Sequence, residues 1–182
     1  MNSVTKAIEG FDEYLGAKGL TFTATVIGGA ALIVMEVLDR VTQDVDCLDP
    51  KLPEEIKRAS VDFARERAAD LALKENWLNN GPASLKLDLP EGWRKKIVRI
   101  YEGKNLTLYT LGRLDLLRSK LFAYCDRQQD LEDCEALRPT AEELRVCLPW
   151  LVERDANPMW PDHVKTSLRR LGEKLGYEFE PE

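Results

Sequence analysis

The sequence has a single histidine, His163, and none of its cysteines belongs to a C-x-x-C pair. Zinc-site spacing is thereby absent. Cys47, Cys125, Cys134 and Cys147 are scattered along the chain; they read as reduced, mostly buried thiols rather than a disulfide framework. No apolar run approaches the ~20 residues that a membrane-spanning helix requires. The longest candidate, Val26 to Val34, holds two glycines and is soon followed by Glu36 and Asp39. Residues Met1 to Glu13 lack the basic start, apolar stretch and cleavage site of a secretory signal, so a cytoplasmic protein without a membrane partner is expected. A basic excess is missing too, since the formal net charge is −6. That balance argues against nonspecific DNA binding, which needs a cationic footprint. It leaves room for a nucleotide, or one RNA end, in a local basic cleft. Internal repeats and low-complexity linkers are also absent.

What is present is an ordinary globular composition, 44% hydrophobic and 32% charged over 182 residues, enough to bury a core without staples. Ser3 to Ala17 predicts an amphipathic helix, with Val4, Ala7, Ile8, Phe11, Tyr14 and Leu15 on one face. The β-branched stretch Thr21 to Ile27 predicts a buried strand, followed by Gly28-Gly29, a helix over Ala30 to Asp39 and a second strand over Asp44 to Leu48. A long helix is expected from Glu54 to Lys74, then a loop-rich region over Glu75 to Glu91. Strands Lys96 to Tyr101 and Leu106 to Thr110 flank a hairpin turn at Glu102 to Asn105. Helices follow at Leu114 to Asp126, at Leu131 to Leu137, from the Thr140/Glu143 capping box to about Cys147, and from Pro161-Asp162 to Gly176. The acidic tail, Tyr177 to Glu182, is expected to fray. Strands early and helices late define an α+β protein, with a core over 1–110 and a helical C-terminal part over 111–182.

The chemistry sits in Val26-Ile27-Gly28-Gly29-Ala30-Ala31 and in Thr42-Gln43-Asp44-Val45-Asp46. A strand that runs into Gly-Gly and then a helix offers backbone N–H groups to an anion, and glycine lets a phosphate come close. Residues two apart on a strand project to the same side, so Asp44 and Asp46 share one cleft. Two such carboxylates suit Mg²⁺. A cation beside a phosphate-holding turn is the minimal apparatus for phosphoryl or nucleotidyl transfer. Acid-x-acid pairs recur at Asp130/Glu132, Asp133/Glu135 and Glu153/Asp155, as does Gly-Gly in plain turns; the joint arrangement carries the signal.

In these elements the chain resembles the minimal nucleotidyltransferase-fold families related to the AbiEii abortive-infection toxins, particularly the bacterial domain-of-unknown-function family 6036. The matching elements are the Gly-Gly turn, Thr42-x-Asp44-x-Asp46, Trp77-Leu78-Asn79, Leu116 to Ala123 around Lys120, and Arg127 to Asp133. The resemblance covers roughly residues 20–140. It implies a mixed sheet flanked by helices, with the C-terminal helices completing the cleft. A nucleoside triphosphate would be held by Gly28, Gly29, Thr42, Lys120 and Arg127. Mg²⁺ would sit on Asp44 and Asp46, and Asp130 would orient Lys120 or act as base. Asp44, Asp46, Lys120 and Asp130 are thus the implied catalytic set. The implied acceptor in the related toxins is tRNA. For this chain an RNA 3′ end, a protein side chain or a small molecule stay open, as do a toxin role with an antitoxin partner and a binding module without turnover.

Two departures stand out. Gln129 replaces the family's lysine. A third carboxylate has only Glu102 and Asp88 as candidates. Simpler readings accompany the others: Asp130 and Asp133 as dipole-favouring acids, Trp77, Trp93, Trp150 and Trp160 as packing anchors with base stacking as the alternative for Trp77, and His163 as an exposed or capping side chain.

Overall fold

The computed structural model describes residues 2–128 and 130–181. Gln129, the site of the lost family cation, and Glu182 of the tail lie outside the described residues. The chain forms two compact units, one ending at Gly112 and the other beginning at Arg113.

The first unit is built on a five-stranded mixed sheet in the order β3-β2-β1-β5-β4. Its strands are β1 (Phe22–Ile27), β2 (Val45–Asp49), β3 (Leu78–Asn79), β4 (Val98–Glu102) and β5 (Leu106–Thr110). β1 runs antiparallel to β2 and parallel to β5, and β2 runs parallel to β3. Alternation sends Phe22, Ala24, Val26, Val45, Cys47, Leu106 and Leu108 to one face. There they meet α1 (Ser3–Ala17) and α3 (Glu54–Glu66) through Ile8, Phe11, Leu15, Ile56 and Phe63. Phe11, Phe63 and Trp77 pack ring against ring, and the Trp77 indole N–H donates to the Ser60 carbonyl at 3.0 Å. Trp77 is therefore a core residue, and base stacking is removed from its roles.

Several boundaries differ from the sequence reading. α2 covers only Gly28–Val34, against the expected Ala30 to Asp39, because Glu36 turns left-handed at φ 60° and ends the run. The long helix stops at Glu66. Its buried stripe of Ile56, Ala59, Ser60, Phe63 and Ala64 has run out, and the short α4 (Ala68–Leu71) buries no residue. The expected loop holds β3 and a 3₁₀ segment, Gly81–Leu87, while Trp93–Lys96 is a second 3₁₀ turn that delays the next strand to Val98.

The second unit contains α5 (Arg113–Arg127), α6 (Leu131–Leu137), α7 (Ala141–Val152) and α8 (Trp160–Leu175). The Thr140/Glu143 capping box forms as expected. α7 continues past Cys147 with Pro149 inside it, because Leu148 and Leu151 still bury on its packed side. The tail does not fray through its described part. Phe179 is buried, Arg145 stacks on its ring, and the Tyr177 hydroxyl donates to the Pro139 carbonyl at 2.6 Å. Among the described residues no helix is long and apolar enough to cross a membrane.

Candidate functional site

The antiparallel ladder pairs Ile27 with Asp46. The residue after Ile27 is Gly28, which turns the chain at φ +81° into α2. This register sets the turn against the acidic strand: a Cβ at residue 28 would stand 2.7 Å from Asp46 Oδ2. Glycine is needed there both for the left-handed backbone and for the close approach. A Cβ on Gly29 would stand 2.8 Å from Arg40 Nη2 and 3.7 Å from Thr42 Oγ1. Gly28, Gly29, Thr42 and Asp46 are thus neighbours, as the sequence reading required. Asp44 lies one residue before β2, and burial alternates through the segment: Asp44 half-buried, Val45 buried, Asp46 half-buried, Cys47 buried. That alternation sets both acids apart from the core-facing side.

Because α2 has seven residues, its dipole is shorter than the expected helix implied. Beside the turn lies the Arg40 guanidinium, 2.8 Å from a Cβ on Gly29. Arg40 is a neighbour of the glycine turn that sequence reasoning missed. Its signal was available, a cation two positions before Thr42, but nothing local shows that the loop folds back over Gly29. The Asn2 side chain holds that loop by donating to the Arg40 carbonyl at 2.8 Å.

Among the described residues no group of three or more His, Cys, Asp or Glu side chains is placed to hold a metal ion. The donor set is the carboxylates of Asp44 and Asp46, the second of them against the Gly28 turn. Such a pair fits Mg²⁺, which is ordinarily held by one or two carboxylates together with substrate phosphates. The two third-acid candidates lie elsewhere. Glu102 is on β4, the far edge strand, paired with Arg99 at 2.9 Å. Asp88 follows the 3₁₀ segment outside the sheet.

Lys120, Asp130 and Arg127 belong to the second unit. Lys120 Nζ contacts Asp130 Oδ1 at 3.1 Å and also Asp133 Oδ2, and the lysine is only 5% exposed. Arg127, more than half exposed, reaches Asp130 Oδ2 at 3.4 Å. Burial by itself would raise the Asp130 carboxyl, but the Lys120 ammonium and the Arg127 guanidinium outweigh it and hold the group below the usual carboxylate range. Lys120 is thus paired with both Asp130 and Asp133, the second of which the sequence offered mainly as a dipole acid. His163 Nε2 lies 2.8 Å from the Cys125 carbonyl, a structural contact.

A mixed sheet carrying a glycine turn after its first strand and acids on the adjoining one defines a nucleotidyltransferase-like α+β fold. The chain belongs to the family described as "Nucleotidyltransferase of unknown function (DUF6036)", whose profile matches residues 4–140. No curated protein and no solved structure matches the chain. Family membership supports a general nucleotidyltransferase role.

Proposed function

We propose that the chain is a Mg²⁺-dependent nucleotidyltransferase that moves a nucleoside monophosphate from a nucleoside triphosphate to a hydroxyl. The observation that carries this reading is the approach of the Gly28 turn to the Asp46 carboxylate, 2.7 Å from an added Cβ, in a chain of this family. The acceptor oxygen attacks the α-phosphorus, the bond to the bridging oxygen breaks, pyrophosphate leaves and the hydroxyl proton passes to solvent water. Mg²⁺, when bound, supplies charge neutralisation to the triphosphate. Asp44 and Asp46 would hold it. Gly28 and Gly29 would present the turn's backbone to phosphate, with the Thr42 hydroxyl and the Arg40 guanidinium beside it. Lys120, Asp130 and Arg127 are assigned to nucleotide handling on the family pattern. A binding module without turnover is the second reading, favoured by an amide, Asn79, at the position paired with Asp46.

The test is label transfer. Purified protein is incubated with each labelled nucleoside triphosphate, Mg²⁺ and total RNA, beside an Asp44→Ala/Asp46→Ala variant. Label on RNA or protein with the parent alone establishes transfer and names donor and acceptor class. Nucleotide binding without transfer supports the module. Equal transfer by the double variant removes the acidic pair from the mechanism. Lys120→Met needs a melting curve alongside, because it removes a buried ammonium that Asp130 and Asp133 share.

A further inference from the structure

Four chain segments meet at one end of the sheet. β1 ends there at Ile27 and passes into the Gly28 turn, and Asp44 precedes β2 beside it, since Ile27 pairs with Asp46. β5 ends there at Thr110, whose hydroxyl donates to the Val26 carbonyl at 2.8 Å. β4 starts there, because Val98 pairs with Thr110. The 3₁₀ turn Trp93–Lys96 delivers the chain to this point. From Trp93 to Arg99 the sequence holds Arg94, Lys95, Lys96 and Arg99 and no acid, with Asp88 and Glu91 preceding the turn. Arg94 is anchored: it stacks on Trp93, 4.4 Å from the ring centroid, and shares the Asp49 carboxylate with Lys86. Arg99 pairs with Glu102. Lys95 and Lys96 are exposed and make no ion pair among the described residues. Strand register adds an aromatic ring. Paired residues share a face, so Asp49, Thr25, Tyr109 and Arg99 form one row across β2, β1, β5 and β4. That row lies on the face turned away from α1 and α3, which is also the face of Ile27 and Asp46. Tyr109 is half-buried in it.

We propose that the hydroxyl acceptor is a single-stranded nucleic acid, docked by Lys95 and Lys96 through its phosphates and by Tyr109 through a base. The inference rests on the transferase reading of the glycine turn and the acidic pair. Cations beside an aromatic ring on a sheet face match a single strand, with charge for the backbone and a π-face for an unstacked base. An acidic peptide would match the lysines and leave the ring unused. The anchored Arg94 fixes the 3₁₀ turn, so the two lysines stand at the sheet end where the glycine turn leaves β1. The strand's terminal hydroxyl oxygen forms the new bond to the α-phosphorus, pyrophosphate leaves, and the hydroxyl proton passes to solvent water.

The experiment is fluorescence anisotropy with a short fluorescein-labelled oligoadenylate, without nucleoside triphosphate, over a series of salt concentrations. Parent, Lys95→Ala/Lys96→Ala, Lys95→Arg/Lys96→Arg, Tyr109→Leu and Asp44→Ala/Asp46→Ala are compared, and thermal melts confirm folding. The parent is expected to bind with a Kd of about 10⁻⁴–10⁻⁶ M and a log–log salt slope of about −1.4, the value for two phosphates on a single strand. Lys95→Ala/Lys96→Ala is expected to weaken binding about tenfold and to bring the slope near zero, while the arginine pair keeps both. Tyr109→Leu is expected to weaken binding about tenfold at the parent's slope. Side chains with a purely structural role would shift the melt and leave the salt slope alone. The Asp44→Ala/Asp46→Ala variant is expected to bind as tightly as the parent, because the strand is docked away from the acids. No binding by the parent at about 10⁻⁴ M, parent-like binding in the lysine-to-alanine or tyrosine variant, or equal affinity for a duplex of the same length overturns the inference. Label transfer to protein alone overturns it too, with the transferase reading intact. Oligonucleotide binding by a parent that transfers no label to any acceptor overturns the reading on which the inference rests, and the acceptor assignment with it.

Discussion

Gly28 and Asp46 share one space: the hydrogen of the glycine Cα lies where a methyl group would stand 2.7 Å from the carboxylate Oδ2. Gly28→Ala therefore suffers twice, from its left-handed backbone and from displacement of Asp46. Gly19 supplies the control, since its φ is +66° and nothing lies within 4 Å of an added Cβ. Gly19→Ala is expected to cost about 1 kcal/mol, and Gly28→Ala about 1–3 kcal/mol. Gly28→Ala alone is expected to abolish Mn²⁺ binding. Chemical denaturation and a Mn²⁺ titration measure the two effects separately.

Asp12 on α1 fastens the β4–β5 turn. Its carboxylate accepts from the backbone N–H groups of Lys104, Asn105 and Leu106 at 3.2, 2.7 and 2.6 Å. Asp12→Ala leaves those donors without their charged acceptor and is expected to cost about 3 kcal/mol in urea unfolding. A loss under about 0.5 kcal/mol, the level of an ordinary surface change, contradicts this role.

Stability should fall in acid. Glu143 is held below the usual carboxylate range chiefly by its hydrogen bond to Arg113. At Asp49 and Asp130, burial raises the carboxyl, but neighbouring cations, Lys86 with Arg94 and Lys120 with Arg127, bring it down. A carboxyl lowered on folding contributes stability above its unfolded pKa, about 4, and that stability is lost as pH falls through the folded value. The unfolding free energy is expected to hold from neutrality to about pH 5 and to decline below it. Glu143→Gln should lower stability at pH 7 by about 0.5–1 kcal/mol, since Arg113 is half exposed. It should also make the decline shallower. An identical acid slope in the variant would exclude Glu143 from the effect.

All the cysteines are free and buried. Burial pushes the Cys47 thiol up to about 11 and those of Cys125 and Cys147 to about 12, and raises Cys134 as well. Thiolate is the reactive form. Iodoacetamide at pH 8 is therefore expected to leave the native protein unlabelled and to modify every cysteine once the chain is unfolded, as intact mass would show.

The acidic pair, the glycine turn and the capping box were legible because each depends on neighbours in the chain. Strand alternation around Val45 and Cys47 turns Asp44 and Asp46 away from the core wherever β2 is placed. The start of α1 and the capping of α7 likewise follow from local hydrogen-bonding chemistry. α2 was overextended because the residues after Val34 keep a helical appearance, while Glu36 turns left-handed only in the folded chain.

Tertiary structure decided the rest. β3 is too short to carry a period, so the partnership of Asn79 with Asp46 exists only through strand pairing. Arg40 reaches Gly29 because its loop folds back, and Asp12 finds its partners more than ninety positions away. The tail packs because Phe179 finds a buried place against Gly172, which no local pattern encodes. Local sequence determines which groups can hydrogen-bond or alternate. Long-range packing decides which of them meet, since apolar burial supplies the free energy that holds distant segments together.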